Sequence, residues 1–249
     1  MLKEERQRVI LNEVALHNRV LLSDIAESLD VSIDTVRRDV KELDGAQKLR
    51  KVHGGAISMG FTGQRRTNEN VYALAEKTII AEKAISLLKE GSVIFINGGT
   101  TCLEMARMLP LDMKLTCFTI SLPVAIELLR KPNVTVIFIG GQLSADSQIA
   151  MGAQTVQQLS EIMVDYCFTG TGYVDSLHGL TEFDWEIVQL KKAVIKASKK
   201  TVLLCISEKL NSQHRYRTCD INMINTMITE LDPNNNLLNL FRNHDIRLL

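Results

Sequence analysis

The run Val93-Ile94-Phe95-Ile96 leads into Asn97, Gly98, Gly99, Thr100 and Thr101, and that order of residue types can hold an anion. Glycines let backbone amides approach a charged group, a helix beginning at the threonines supplies unpaired N–H groups and a favourable dipole, and the hydroxyls add donors. The spacing matches neither the ATP-binding GxxxxGK[ST] loop nor the dinucleotide-binding GxGxxG turn, and the same residues also suit a plain strand-to-helix turn. Other apolar runs end near Ser121, and near Gly170 and Gly172, so their loops can meet the first at one sheet edge. Glu186 and Lys191 lie close together on a helical stretch. The lysine can neutralise a phosphate there, or belong to a solvated face of one basic helix with Lys192, Lys196, Lys199 and Lys200.

A second cluster lies near the N-terminus. Between Ser32 and Lys41 the apolar Val36 and Val40 turn inward and leave Asp34, Thr35, Arg37, Arg38 and Lys41 outward. Arginine pairs with guanine or clamps a phosphate, while the hydroxyls of Ser32 and Thr35 reach phosphates or base edges. From Ala46 to Asn68 there are five basic residues, Lys48, Arg50, Lys51, Arg65 and Arg66, and no acidic one, with His53 among them. Residues 1–57 as a whole balance ten basic against ten acidic side chains, so the positive charge is local. Such a stripe suits the phosphates of a nucleic acid; the same charges suit equally a small helical domain that docks a protein.

The elements that must position these groups follow from hydrophobic rhythm. Ile10 and Val14, then Leu22, Ile25, Ala26 and Leu29, then Val36, Val40 and Leu43 mark three short helices, with Ser23 and Ser32 placed to cap the second and third. Leu49 to Ala56, with its paired glycines, suggests a hairpin, which makes residues 1–57 a winged helix-turn-helix. Residues 58–70 are polar and glycine-containing, a linker. From residue 71 to 249, strand-length apolar runs at Val93–Ile96, Leu115–Thr119, Val134–Ile139, Tyr166–Phe168, Val202–Ile206 and Met227–Thr229 alternate with helical stretches near 71–89, 101–109, 122–130, 153–162, 184–199 and 235–243. That alternation predicts an α/β domain around a mostly parallel sheet.

Composition narrows the function. In 249 residues, 29 basic side chains face 29 acidic ones, and 45% hydrophobic with 23% charged residues describes a chain that folds around a core. No apolar run reaches membrane-spanning length and the first residues lack a signal-peptide core, so a soluble cytoplasmic protein without a membrane partner is expected. Five scattered cysteines and five histidines form no CxxC or HExxH pattern, so neither a metal nor another cofactor is expected. Asp146, Glu182 and Glu186 could offer carboxylates for acid–base work, but their spacing singles out no general base and no catalytic residue is assigned.

Leu22-x2-Ile25-Ala26-x2-Leu29-x-Val31-Ser32-x2-Thr35-Val36-Arg37-Arg38-Asp39-x3-Leu43, followed by Leu49-Arg50-Lys51-Val52-His53-Gly54-Gly55-Ala56, resembles the DeoR family of bacterial transcriptional regulators. The later motifs resemble the same family's sensor domain, which is similar in fold to ribose-5-phosphate isomerase. They are Gly98-Gly99-Thr100-Thr101, Ser121-Leu122-Pro123, Gly140-Gly141, Gly170-Thr171-Gly172, Gly179-Leu180-Thr181, Glu186 with Lys191, and Ile228-Thr229-Glu230. The resemblance implies a repressor of carbohydrate catabolism or uptake genes, a homo-dimer or homo-tetramer on operator DNA, released by a phosphorylated sugar. The competing expectation is a sugar-phosphate isomerase-like enzyme with a DNA-binding appendage. The sequence departs from the family pattern at Gln47, where a glycine is usual before the wing, at Asn97, where Asp is common, and at Ile120, where Asn is common. Asn97 and Ile120 are expected to face the non-phosphate end of the sugar.

Overall fold

Apolar residues at helical spacing build the first of two units, Met1–Tyr72, in a computed structural model that describes residues 1–59 and 71–249. Helix α1 (Lys3–His17) buries Ile10 and Val14, α2 (Leu22–Ser28) buries Leu22, Ile25 and Ala26, and α3 (Ile33–Gly45) buries Val36, Val40 and Leu43. These side chains close one core with Leu49 and Ala56. Strands β1 (Arg19–Leu21), β2 (Arg50–Val52) and β3 (Gly55–Ile57) pair antiparallel in the order β1-β3-β2, so the wing has three strands. A Cβ on Gly55 would sit 2.3 Å from the Val20 carbonyl oxygen; only glycine lets β3 lie this close to β1. The segment expected as a linker lies, from residue 60 to 70, outside the described residues.

Ser32 caps α3, its hydroxyl accepting from the Thr35 amide at 3.2 Å. Ser23 does not cap α2. That helix starts two residues earlier than a Ser23 cap would set, with Leu21 at the cap position; the Leu22 amide donates to the Gly54 carbonyl of the wing turn at 2.9 Å, and the Ser23 hydroxyl turns to Asp24.

The second unit, Ala73–Leu249, is built on seven parallel strands. In chain order they are β4 (Val93–Ile96), β5 (Leu115–Thr119), β6 (Val134–Phe138), β9 (Val164–Thr169), β12 (Ser198–Leu204), β14 (Thr226–Ile228) and β15 (Arg247–Leu248), arranged in space as β15-β14-β12-β9-β4-β5-β6. Helices α4 (Leu74–Ile85), α5 (Thr100–Met108), α6 (Leu122–Leu128), α7 (Ala153–Ser160) and α8 (Trp185–Lys196) connect them. Buried Ile94, Phe95, Ile96, Phe168, Val202 and Leu203 show why these runs are nearly continuous in apolar residues: the central strands are covered on both faces.

Strand order carries a functional consequence. From β4 the chain winds outward through β5 to β6, then returns to lay β9 against the other side of β4 and winds the opposite way. The crevice at the carboxyl ends of β4 and β9 is therefore the topological switch point, where open α/β sheets bind ligands.

Two smaller pairings have no counterpart in the strand rhythm. Strands β10 (Tyr173–Asp175), β11 (Gly179–Glu182) and β13 (Tyr216–Cys219) form an antiparallel sheet, and β7 (Gln142–Leu143) pairs with β8 (Ala150–Met151). Residues 235–243 are not an α-helix. They form two 3-10 turns, Asn236–Leu238 and Phe241–Asn243, pinned by buried Leu238 and Phe241, and the Asn235 side chain accepts from the Leu237 amide at 3.0 Å, the local bonding by which asparagine competes with helix. Lys199 and Lys200 likewise leave the expected basic helix, since α8 stops at Lys196 and both belong to β12.

Candidate functional site

In the first unit the residues expected to meet a nucleic acid lie on the outer side of α3 and on the adjoining wing. Ser32, Asp34, Arg37, Arg38 and Lys41 are exposed and Thr35 is half-buried; Lys48, Arg50, Lys51 and His53 are exposed on the wing and its approach. Not all of these groups are equivalent. The Ser32 hydroxyl is engaged in capping and bonds the Thr35 hydroxyl at 2.9 Å, and Asp34 pairs with Arg37 one turn on, which offsets its acidic charge. Asp39, inside the Arg37-Arg38-Asp39 motif, points the other way. It is 2% exposed and binds Arg6 of α1, whose Nη2 donates to Oδ1 at 3.2 Å while Nε contacts Oδ2. Lys3 and Gln7 reinforce the same seam through Glu42, at 2.6 and 2.9 Å. The wing is tied to the end of α3 by the Lys51 amide, which donates to Asp44 Oδ1 at 3.0 Å.

In the second unit the cradle sits at the switch point. Asn97 ends β4 and its Nδ2 donates to the Thr169 hydroxyl at the end of β9 (3.0 Å), while its Oδ1 accepts from the Gly98 amide (2.7 Å). Gly99, at φ +113°, turns the chain into α5, so the amides of Thr100 and Thr101 head a nine-residue helix. Ser121 is buried and caps α6, accepting from Val124 N at 3.5 Å. Gly170 and Gly172 follow β9: the Gly170 carbonyl accepts from Lys191 Nζ at 2.7 Å, and the Gly172 amide donates to Glu182 Oε1 at 2.8 Å.

Lys191 is thus brought to the cradle, but Glu186 is not. Five residues separate them, about 140° around a helix, and Glu186 remains exposed in the first turn of α8. The carboxylate that meets Lys191 is Glu182 at the end of β11, which is 5% exposed and in direct contact with the ammonium. Lys191 itself is 9% exposed, a buried cation rather than part of a solvated basic face. The expected orientation of Ile120 toward a sugar fails, while Asn97 spends one amide hydrogen and one lone pair on the protein. Ile120, fully buried, packs among Ile139, Ile149 and Phe95 because an aliphatic side chain there joins the core.

Two further lysines complete the site and carry no local motif. Lys209, after β12, donates to the Thr171 carbonyl at 2.9 Å; its loop is held by Glu230, which accepts from the Ser207 amide at 3.0 Å. Lys77, in the first turn of α4, is 4% exposed, and its pKa falls to about 8, first through burial and then through the charge of Lys209. Burial lowers the Lys209 pKa as well, with Lys191 adding to the effect. Three ammonium groups thus gather about the ends of β9 and β12, with Glu182 as the paired carboxylate. The carboxylates of Glu76, Glu104 and Glu208 oppose the fall at Lys77 without cancelling it. A crevice of this kind suits an anion. Nearby Cys102 is fully buried with its pKa pushed up to about 11, so its thiol stays protonated near neutrality. Among the described residues no group of three His, Cys, Asp or Glu is placed to hold a metal, and no helix is long and apolar enough to cross a membrane.

Comparison with known proteins matches both halves. Residues 6–60 fit the model of the DeoR-like helix-turn-helix domain, and residues 73–231 that of the DeoR C-terminal sensor domain. The chain is 31% identical, over 94% of its length and 92% of the relative's, to the uncharacterized HTH-type transcriptional regulator YulB of Bacillus subtilis. It is 27% identical, over 100% of its length and 99% of the relative's, to the glycerol-3-phosphate regulon repressor of Escherichia coli. Among solved structures, ribose 5-phosphate isomerase A of Neisseria gonorrhoeae aligns over 55% of this chain and 53% of its own, with TM-score 0.41 and 20% identity.

Proposed function

Because the chain belongs to the DeoR family of helix-turn-helix transcriptional regulators, we propose that it represses genes of carbohydrate uptake or catabolism and releases operator DNA when a phosphorylated sugar binds its second unit. Arg37, Arg38 and Lys41 on α3 contact the major groove, and Lys48, Arg50, Lys51 and His53 meet the flanking phosphates. The sugar's phosphate lies against the amides of Gly99, Thr100 and Thr101, with Lys77 and Lys209 supplying the charge and Gly170, Gly172 and Lys191 framing the far wall. Asn97 and Ser121 hold the loops rather than the ligand. The observation that carries the reading is the set of three inward lysines at a sheet switch point, in a chain that also exposes Arg37, Arg38 and Lys41 on the outer side of α3.

The protein acts in the cytoplasm as a homo-dimer or homo-tetramer, since a helix-turn-helix reads paired half-sites. It senses the sugar phosphate without converting it. An isomerase needs a carboxylate at liberty to take a proton, and Glu182, the buried candidate, already accepts from Gly172 and Lys191, while Glu186 is exposed away from the cradle. The test is fluorescence anisotropy with DNA from upstream of this gene and its neighbours, at two salt concentrations, against a panel of pentose, hexose and triose phosphates. Salt-sensitive binding relieved by one compound supports the proposal. Binding that no compound relieves removes the sensor role, and turnover of a panel member establishes the enzyme reading instead.

A further inference from the structure

The seven-stranded sheet has two unlike edges. At one, β15 is only two residues long and carries Arg247. At the other, β6 is five residues, Val134-Thr135-Val136-Ile137-Phe138, with no charge and no proline, and β5 is its one pairing partner among the described residues. Stable proteins protect such edges with charge, brevity or cover, so a bare edge of high β-propensity calls for cover. Beside it, α6 turns Val124, Ala125 and Leu128 inward and leaves Leu122 (36% exposed), Ile126 (50%) and Leu129 (73%) as an outward stripe at i, i+4 and i+7. Ile137 (39%) and Phe138 (38%), on opposite faces of β6, and Leu143 of β7 (49%) add apolar surface along the sheet edge.

From these observations we infer that the β6 edge and the outer face of α6 form the interface through which two copies of this chain associate about a two-fold axis. Three features select a second copy over another partner. The flanking charges are settled within the chain. Glu127 lies between Arg130 at 3.3 Å and Arg107 at 3.8 Å, and Lys131 donates to the Arg107 carbonyl at 2.7 Å, so the apolar stripe itself carries no charge and the charged groups beside it are held in contacts within the chain. A strand edge is self-complementary, because a two-fold axis across it sets the same row of amides and carbonyls antiparallel to itself. The six side chains expose on the order of 500 Å² of apolar surface, near the upper limit for a monomer's largest patch and more than half of the ~800 Å² per partner in a standard interface.

The inference deepens the oligomeric part of the proposed function, and its readout, molecular mass, is independent of DNA. Sedimentation equilibrium on the full chain at micromolar concentration is expected to give a dimer or a multiple of one. Ile137→Lys on the edge and, separately, Ile126→Glu on the helix are each expected to reduce the mass to half or less, weakening association at least tenfold, with circular dichroism unchanged. Leu177→Glu, at a residue 79% exposed outside this surface, is expected to leave the mass as it is. A monomeric wild type overturns the inference, as does full wild-type mass in both folded variants. Loss of DNA binding with association intact would instead count against the role of α3.

Discussion

Glu182 and Lys191 meet directly in the crevice after β9, and the Gly172 amide and the Gly170 carbonyl bind the same carboxylate and the same ammonium. The lysine that the sequence leaves open between a phosphate partner and a solvated face is therefore half of a buried ion pair. Lys191→Met strands Glu182 without its cation and is expected to destabilise the second unit by about 3 kcal/mol, the usual cost of breaking such a pair. Lys191→Met combined with Glu182→Gln removes both charges and is expected to recover at least half of that loss. Urea unfolding of the two single variants and the double variant measures the coupling directly; additive effects would mean that the contact contributes nothing.

Lys209 and Lys77 are expected to carry the ligand's charge. Lys209→Met should weaken binding of the effector phosphate ten- to a hundredfold, in the range of about 1.5–3 kcal/mol for a hydrogen bond to a charged group, with little change in unfolding midpoint. Titration calorimetry against the sugar phosphate found in the release assay checks this.

Binding should also depend on pH. Lys77 titrates near 8 in the free protein, below its ordinary 10.5, because burial and Lys209 disfavour its charge. An anion favours the charged form, so its binding raises that pKa and is strongest below about pH 8. Affinity is expected to fall between about pH 8 and 9.5, a window in which a phosphate monoester stays dianionic. Lys77→Met should be weaker at neutrality and flatter across the window. The stability of the free protein has the opposite trend: a lysine with a depressed folded pKa lets stability rise with pH between about 8 and 10.5.

On α3, Arg37→Ala with Arg38→Ala is expected to leave the thermal midpoint unchanged and to lower operator affinity by about 1–3 kcal/mol per lost base contact, bringing it toward the affinity for unrelated DNA. Asp39→Ala should act differently. It touches no DNA, yet it frees Arg6 and loosens α1 from α3, so the midpoint of the first unit should drop by several degrees and DNA affinity with it.

Gln47 occupies a left-handed conformation, φ +56°, just after α3 and its cap Ala46. Side chains with a Cβ are strained there and glycine is not, so Gln47→Gly is expected to stabilise the first unit by about 0.5–1 kcal/mol, measured by urea unfolding. The family's usual glycine at this place answers the same backbone demand, and Gly45, two residues earlier, remains helical.

What the sequence made legible follows from how locally each feature is encoded. The three N-terminal helices, the wing hairpin and the central strands repeat apolar residues at their own period, and the Gly98-Gly99-Thr100-Thr101 turn carries its conformation in its residue types. Lys77 and Lys209 lie 132 positions apart, in the first turn of α4 and the loop after β12, and only the parallel winding brings them together. The same reasoning explains the exchange of Glu186 for Glu182: proximity along α8 suggested one carboxylate, while the turn from β11 into α8 delivers the other. Ile120 was misplaced for a different reason, since position after a strand end does not determine which way a side chain points.

The most direct test of ligand-controlled repression is one anisotropy titration: the full-length protein on its upstream DNA at physiological salt, repeated with each sugar phosphate at saturating concentration and with its unphosphorylated sugar. Release by one phosphate compound, absent with the free sugar and lost in Lys209→Met, is the predicted result. DNA binding that is identical under every condition, or release that the free sugar produces equally well, would contradict it.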